Sequence, residues 1–265
     1  MMVYEFTKEE MIDKITQKKE FSQLPEKDVE TAFEKFDKER NSDYQKLKLT
    51  RNFLREIFSS FSSRKLLNPM KEKGTDWYLM KHKSTKERFP YYEEVYGRIF
   101  KDFKDKEISL IDLGAGINGF SYGFFKKINL KVKYVGVEAV GQLVKLMNLF
   151  FKENKIKGKS SHLSLFETGK IKELIKKQKK PRIIFFMKVI DSLEAVERDY
   201  SKKLLREIIP LSNIIVLSFA TRSLGSGKKF GVNRNWILKF IKDVFQVLDD
   251  FEIGGERYVI FKERG

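Results

Sequence analysis

The feature that most restricts this chain is a short run near its middle. An apolar stretch at residues 108–113 reaches Asp112 and Leu113, then turns at once through Gly114-Ala115-Gly116-Ile117-Asn118-Gly119. An aliphatic strand that meets a glycine-rich turn and then a helix is the opening of a nucleotide-binding α/β unit. Gly114 and Gly116 permit backbone conformations that a side chain would block, and they allow close approach of a ligand. The helix that follows is expected to offer unpaired N–H groups at its start. Such a unit also needs an acid at the end of the next strand to accept ribose hydroxyls. Glu138 stands there, closing Lys133-Tyr134-Val135-Gly136-Val137.

The rest of the chain divides around that turn. Beyond about residue 106, the runs 108–113, 133–137, 162–165, 182–187 and 214–219 are short and rich in β-branched or aromatic residues. Helical stretches at 142–153, 171–177 and 193–209 separate them, so a parallel sheet covered by helices on both faces is expected. The end differs: 244–251, Gly254-Gly255 and 257–262 read as a β-hairpin. The fold class is therefore α/β, a mostly parallel seven-stranded sheet closed by an antiparallel hairpin, as in Rossmann-like methyltransferases.

Residues 7–105 read as helical. Thr7 ahead of Lys8-Glu9-Glu10 looks like an N-cap with acids in the first turn, and Pro25-Glu26-Lys27-Asp28 opens a second helix. A third, at 42–62, places Leu47, Leu54, Ile57, Phe58 and Phe61 at core spacing, with Lys48, Arg51 and Arg55 on one basic ridge. A loop with Asn68-Pro69 and Lys73-Gly74-Thr75 follows, then Ser84-Thr85-Lys86-Glu87-Arg88 and a helix at 91–103. Two domains are expected: a helical one at 1–105 and a cofactor-binding one at 106–265.

Charge and cysteine usage narrow the chemistry. Lys and Arg number 54 against 37 Asp and Glu, a net of +17. The first 40 residues are net acidic at −3, whereas residues 145–182 hold 12 basic side chains against 3 acids. Such a stripe attracts a phosphate backbone or an anionic membrane, although a solvated lysine-rich surface has the same composition. No Cys is present and only two His, His82 and His162, which removes thiolate chemistry and leaves little for metal binding. Both histidines read as structural or RNA-contacting, with His82 near enough to the 84–88 segment to reach the site. No apolar run approaches the roughly 18–20 residues that span a bilayer, and the N-terminus has no apolar signal core. A cytoplasmic protein is expected, without metal or membrane and monomeric.

The acid two residues before the first glycine, behind an aliphatic run, resembles motif I of enzymes that use S-adenosyl-L-methionine (SAM). Glu167, after the third strand, falls where such enzymes place a group near the adenine. SAM is the expected cofactor, with NAD second. Cytosine-C5 transfer through a covalent adduct needs Cys, and the Pro-Pro tetrad of exocyclic-amine methylation is missing from 187–194. A ring nitrogen such as guanine N7 carries an in-plane lone pair and needs no general base, so positioning and desolvation would be most of the catalysis.

Four segments, spanning most of the chain beyond residue 45, resemble the aminoglycoside-resistance 16S rRNA (guanine-N7) methyltransferases. They are Lys48-Leu49-Thr50-Arg51; Ser84-Thr85-Lys86-Glu87-Arg88; Lys188-Val189-Ile190 with Leu193-Glu194; and Ser218-Phe219-Ala220-Thr221-Arg222-Ser223-Leu224-Gly225. Departures are Ala115 for a more usual Cys, Glu138 for Asp, and Ala220 for Pro. The resemblance implies a helical rRNA-docking region ahead of a SAM-binding core, acting on a decoding-site guanine of the assembled small ribosomal subunit. It implies that Arg88 pairs with the SAM carboxylate, that Asp112, Gly114, Ala115 and Gly116 shape the methionine pocket, and that Glu138 holds the ribose. Phe219 would stack on the extruded guanine; as a residue ending a central strand it could equally be core. Arg222 and Lys188 would bind flanking phosphate or the SAM side, and Lys48, Arg51 and Arg55 would meet RNA. Two other readings stay open: an enzyme acting on another RNA such as tRNA, and a non-catalytic RNA-binding protein on the same fold.

Overall fold

The computed structural model describes residues 6–59, 66, 73–104, 106–222 and 234–265. Phe61, Asn68, Pro69 and the Ser223-Leu224-Gly225 run lie outside the described residues.

The chain begins with helices whose starts are encoded locally. In α1 (Lys8–Thr16), the Thr7 hydroxyl accepts from the Glu10 N–H while the Glu10 carboxylate accepts from the Thr7 N–H. The same reciprocal cap, Ser42 with Gln45, starts α3 (Asp43–Leu54). Each cap satisfies two N–H groups that a helix start otherwise leaves open. Between them lies α2 (Glu26–Glu34), begun at Pro25, and α3 winds on into a π-helical turn, Arg55–Ser59. Then come α4 (Thr75–Leu79), α5 (Lys83–Arg88) and α6 (Tyr92–Ile99).

Among the described residues the sheet has seven strands: β1 (Glu107–Leu113), β2 (Lys131–Glu138), β3 (Gly158–His162), β4 (Arg182–Met187), β5 (Ile214–Ala220), β6 (Gln246–Ile253) and β7 (Glu256–Lys262). Their order is β3-β2-β1-β4-β5-β7-β6. β1 to β5 run parallel, and the β6–β7 hairpin is antiparallel, with β7 pairing β5. The connecting helices are α7 (Tyr122–Lys127), α8 (Gly141–Glu153), α9 (Thr168–Lys176), α10 (Ile190–Val196), α11 (Tyr200–Ile208) and α12 (Asn235–Val244).

Two of the elements that differ from expectation have a clear local reason. The third strand is Gly158–His162, not 162–165. It is one of the sheet's two outer strands among the described residues and fully buries only Ser160, so no apolar run marks it. The expected helix at 193–209 is two helices. The Glu194 carboxylate accepts from the N–H groups of Asp199 and Ser201, and Asp199 turns to φ +62, ending one helix and starting the next.

Side chains alternate across the sheet with the strand period of two. On one face, Ile108, Leu110, Tyr134, Phe185, Val216, Tyr258 and Ile260 pack with Met11, Ile15, Val29 and Phe33 from the first helices and with Tyr92 and Tyr96 from α6. On the other, Ile111, Leu113, Ile184, Phe186, Leu217 and Phe219 pack beneath α9 to α12. The leading helices thus share one apolar cluster with the sheet. Trp236 is half-buried on α12 with the Lys202 ammonium of α11 over its ring, a packing role.

Candidate active site

β1 and β4 are neighbours, and the connections that follow them leave to opposite sides, which opens a crevice at the carboxyl ends of the strands. It is a narrow cleft. Gly114 and Gly116 after β1, Glu138 and Val140 after β2, Leu165 and Phe166 after β3, and Lys188 and Val189 after β4 line it. The remaining wall comes from ahead of the sheet: Asp28, Ile57, Phe58, His82 and Ser84.

The glycine turn is required by both backbone and space. Gly114 and Gly116 sit at φ +73 and +51; a Cβ on the first would lie 2.5 Å from Val189 Cγ2, and on the second 2.9 Å from His82 Nε2. The N–H groups of Gly114 and Ala115 both donate to the Val137 carbonyl at 2.9 Å, and that of Gly116 donates to Glu138 Oε2 at 2.7 Å. These three amides are therefore committed within the fold rather than open to a ligand. A 3₁₀ turn, Asn118–Ser121, stands ahead of α7. Gly114, Gly116 and Gly119 fall at G-x-G-x-x-G spacing, so the letters alone do not separate a dinucleotide from SAM. The hydrogen bonding does, because a pyrophosphate needs free N–H donors at this turn.

Glu138 reaches the cleft as expected. Its Oε1 accepts from the Val140 N–H at 2.8 Å, complementing the Gly116 contact. Burial pushes its carboxyl up, and those backbone donors oppose the push. Each oxygen keeps a further lone pair, so the group can still accept ribose hydroxyls. Asp112 lies beneath the turn; its Oδ2 accepts from Asn118 Nδ2 at 2.7 Å and Tyr134 OH at 2.5 Å. It supports the turn without lining the cleft. Ala115 is buried in the turn.

Arg88 is placed differently from expectation. It is buried, with Nη2 donating to Glu256 Oε1 at 2.6 Å, Nε to Tyr258 OH at 3.2 Å and Nη1 to Asn118 Oδ1 at 3.2 Å. It stands behind the cleft wall, neither a surface residue nor a cleft-lining one. Glu256 in turn holds Lys188, whose Nζ is 3.1 Å from Glu256 Oε2 and also paired with Glu87. Lys188, at φ +56, is the cation that faces the cleft. The Arg88 and Lys188 charges hold the Glu256 carboxyl below its ordinary value despite burial.

Phe219 alternates out of this site. Ser218 points to the Arg88 side, where its hydroxyl donates to Glu256 Oε1 at 2.5 Å, so Phe219 must point to the opposite face. There it is buried, with the Arg234 guanidinium 5.2 Å from its ring centroid, which fits the core reading of this residue. Arg222 is exposed, beside Gly255 of the hairpin turn. Glu167 pairs with Lys170 at the start of α9 and does not line the cleft, where Leu165 and Phe166 do. The basic ridge is partly tied down: Lys48 is exposed, but Arg51 Nη2 donates to the Lys14 carbonyl at 2.5 Å and Arg55 pairs with Glu20 at 2.6 Å. The basic flank instead forms a broad groove along the β3 edge, lined by Lys133, Lys157, Lys159, Lys170 and Lys177.

Two more cleft residues, besides Glu138, carry displaced ionisation. His82, with Nδ1 3.1 Å from Ser84 Oγ, is lowered to about 4 by burial and by the Arg88 and Lys188 charges, so it is neutral near pH 7. Asp28 is pushed up to about 7, chiefly by burial, with Glu138 and Glu167 adding and a hydrogen bond to Ser164 opposing. Its Oδ2 meets no hydrogen-bond partner among the described residues. Among the described residues, no group of three or more His, Asp or Glu is placed to hold a metal ion. None of the described helices is long and apolar enough to cross a membrane. Asp28, Asn118, Tyr134, Tyr258 and Glu256 were not legible locally; Asp28 reads in sequence as one more acid on a solvated helix.

No family model matches this chain. A curated 16S rRNA (guanine(1405)-N(7))-methyltransferase of Proteus mirabilis is 24% identical over 194 residues, which is 68% of this chain. The match spans 62% of that relative's length. Among solved structures, the 16S rRNA methyltransferase RmtF in complex with S-adenosyl-L-homocysteine superposes with a TM-score of 0.77 at 20% identity, over 98% of this chain and 99% of its own. The 16S rRNA methylase RmtB gives 0.77 at 17%, over 98% and 100%. The 16S rRNA methylase ArmA gives 0.57 at 20%, over 76% and 97%. The chain shares the fold of these proteins.

Proposed function

We propose that this chain is a SAM-dependent methyltransferase that modifies guanine N7 in 16S rRNA, at the decoding site of the small ribosomal subunit. The observation that carries the reading is the cleft. A glycine turn whose first amides are all committed to β2 suits a nucleoside that has no phosphate, and Glu138 and Lys188 stand ready for a ribose and a carboxylate. The residues present therefore fit the cofactor: Glu138 would hold the ribose, Leu165 and Phe166 the base, Gly114 and Gly116 the methionine backbone, and Lys188 its carboxylate. Similarity over nearly the whole chain to 16S rRNA methylases, and to an N7-specific relative, supports the acceptor.

When bound, SAM supplies an electrophilic methyl group, which the N7 lone pair of a guanine can take in line, with the carbon–sulfur bond breaking and no proton to remove. The chain's residues then need only to bind, orient and exclude water. Lys188 is anchored on two carboxylates, so its ammonium is fixed before any ligand arrives. His82 stays neutral and would add no positive charge to a cleft that holds a sulfonium. The lysine groove on the β3 edge would meet the phosphate backbone. In this reading the protein works in the cytoplasm as a monomer, 1–105 docks the RNA, and the methyl mark confers aminoglycoside resistance.

Tritiated methyl transfer to 30S subunits, free 16S rRNA and tRNA, followed by mapping of the labelled base, tests this. Label at a guanine N7 in 30S is expected. Label found only in tRNA would replace the substrate assignment, and label on an exocyclic amine would overturn the mechanism.

A further inference from the structure

Asp28 poses a problem that the methyl-transfer reading does not absorb. It lies in the first half of α2, is 3% exposed, and lines the cleft with an oxygen that no donor among the described residues reaches. An unpartnered buried carboxylate oxygen is costly. Its surroundings locate it along the cleft. Ser164, just before Leu165 and Phe166, hydrogen-bonds to it, and Glu138 contributes to its electrostatic environment. Lys188 and the glycine turn mark the other end. Asp28 therefore stands where the apolar plates Leu165, Phe166 and Val196 would enclose a base.

Apolar plates hold any purine; they do not tell an amino from an oxo substituent. An ionised carboxylate only accepts and can tell them apart, because a 6-amino group donates and a 6-oxo group does not, and a donor brought to Asp28 favours that ionised form. We infer that Asp28 is the base-reading residue of the cofactor site: its free oxygen accepts a hydrogen bond from the adenine 6-amino group. The helices ahead of the sheet then supply part of the cofactor's specificity. This rests on the S-adenosyl reading above. The ligand makes good the missing partner, and the site keeps a destabilising group in its absence, a common trade at binding sites.

Calorimetry with two probes, S-adenosylhomocysteine and S-inosylhomocysteine, on wild type, Asp28→Asn and Asp28→Ala provides the test. Wild type is expected to favour the adenosyl probe by about 10- to 100-fold, the range of one hydrogen bond to a charged group. Asp28→Ala should lose that discrimination. Asp28→Asn, whose amide can donate to a 6-oxo group, should move the preference toward the inosyl probe. Thermal melting of the unliganded variants is the companion readout. A base reader leaves Asp28→Asn melting at or above wild type, whereas a purely structural carboxylate would lower it. Discrimination retained in Asp28→Ala, or a lower melting point for Asp28→Asn with unchanged preference, overturns the inference. If Asp28→Ala does not fold, the preference of Asp28→Asn decides alone. Wild type that binds neither probe sinks the S-adenosyl reading itself, and wild type that binds both equally sinks only the role of Asp28.

Discussion

The two faces of the sheet are made by alternate residues of the same strands, yet their chemistry is unlike. Beneath α9 to α12, the face is apolar: Ile111, Leu113, Ile184, Phe186, Leu217 and Phe219. On the face toward the leading helices, Asp112, Ser218 and Glu256 interrupt the apolar set and meet Arg88, Asn118 and Tyr134. Buried ion pairs are poor stabilisers, since desolvation offsets much of their attraction and apolar replacements of similar volume do as well or better. Stability does not account for the polar seam. Position does, because the seam ends on Lys188 and on the floor of the glycine turn. One face holds the sheet together; the other aims it.

The largest effect should come from breaking the seam unevenly. Glu256→Leu leaves Arg88 buried without its carboxylate and is expected to cost about 3–5 kcal/mol in urea denaturation. Phe186→Leu on the apolar face should cost only about 1 kcal/mol. The pair Arg88→Met with Glu256→Leu should recover most of the stability while S-adenosylhomocysteine affinity stays low, because Lys188 has lost an anchor. Equal costs for Glu256→Leu and Phe186→Leu would remove the contrast.

Next comes pH. Asp28, raised to about 7, favours the fold at low pH, and this contribution is lost as pH rises through 7. His82, lowered to about 4, favours it above its ordinary 6.5, and that is lost as pH falls through 4. The two slopes oppose each other over nearly the same window. The groups facing Asp28 include Glu138, Glu167, Ser164 and Tyr200; those facing His82 include Arg88, Lys188 and Ser84. Asp28→Asn should therefore stabilise the unliganded protein by roughly 2–3 kcal/mol more at pH 8 than at pH 5. Denaturation midpoints at both pH values check it, and a pH-independent difference would contradict the assignment.

Gly114→Ala follows, at about 1–3 kcal/mol from its positive φ and the contact with Val189, together with loss of S-adenosylhomocysteine binding by calorimetry. The smallest change separates the ridge residues. Lys48→Ala should leave stability within about 0.5 kcal/mol, whereas Arg51→Ala should cost about 1 kcal/mol by releasing the Lys14 carbonyl. If both Lys48 and Arg51 prove neutral to folding, the ridge is a surface after all.

What the sequence made legible followed from local periodicity. β4 and β5 announce themselves as apolar runs, and Glu138 stands out as the acid that closes the run after the glycine turn. β3 carries no such mark, because an edge strand has little to bury. Motif position speaks for Arg88 and Phe219, but their neighbours in the fold lie far off in sequence. Glu256 reaches Arg88 across the whole core, and strand parity turns Phe219 away from it. Asp28 carries no local mark, since an acid near a helix start is ordinary. Its meaning comes only from where α2 packs.

Asp28, Ile57, Phe58, His82 and Ser84 wall the cleft from ahead of the sheet. The leading helices are thus no detachable cassette. Under the methyl-transfer reading proposed above, exchanging these helices for another protein's recognition segment would remove one side of the cofactor site, and the chimaera would lose its reagent along with its old address.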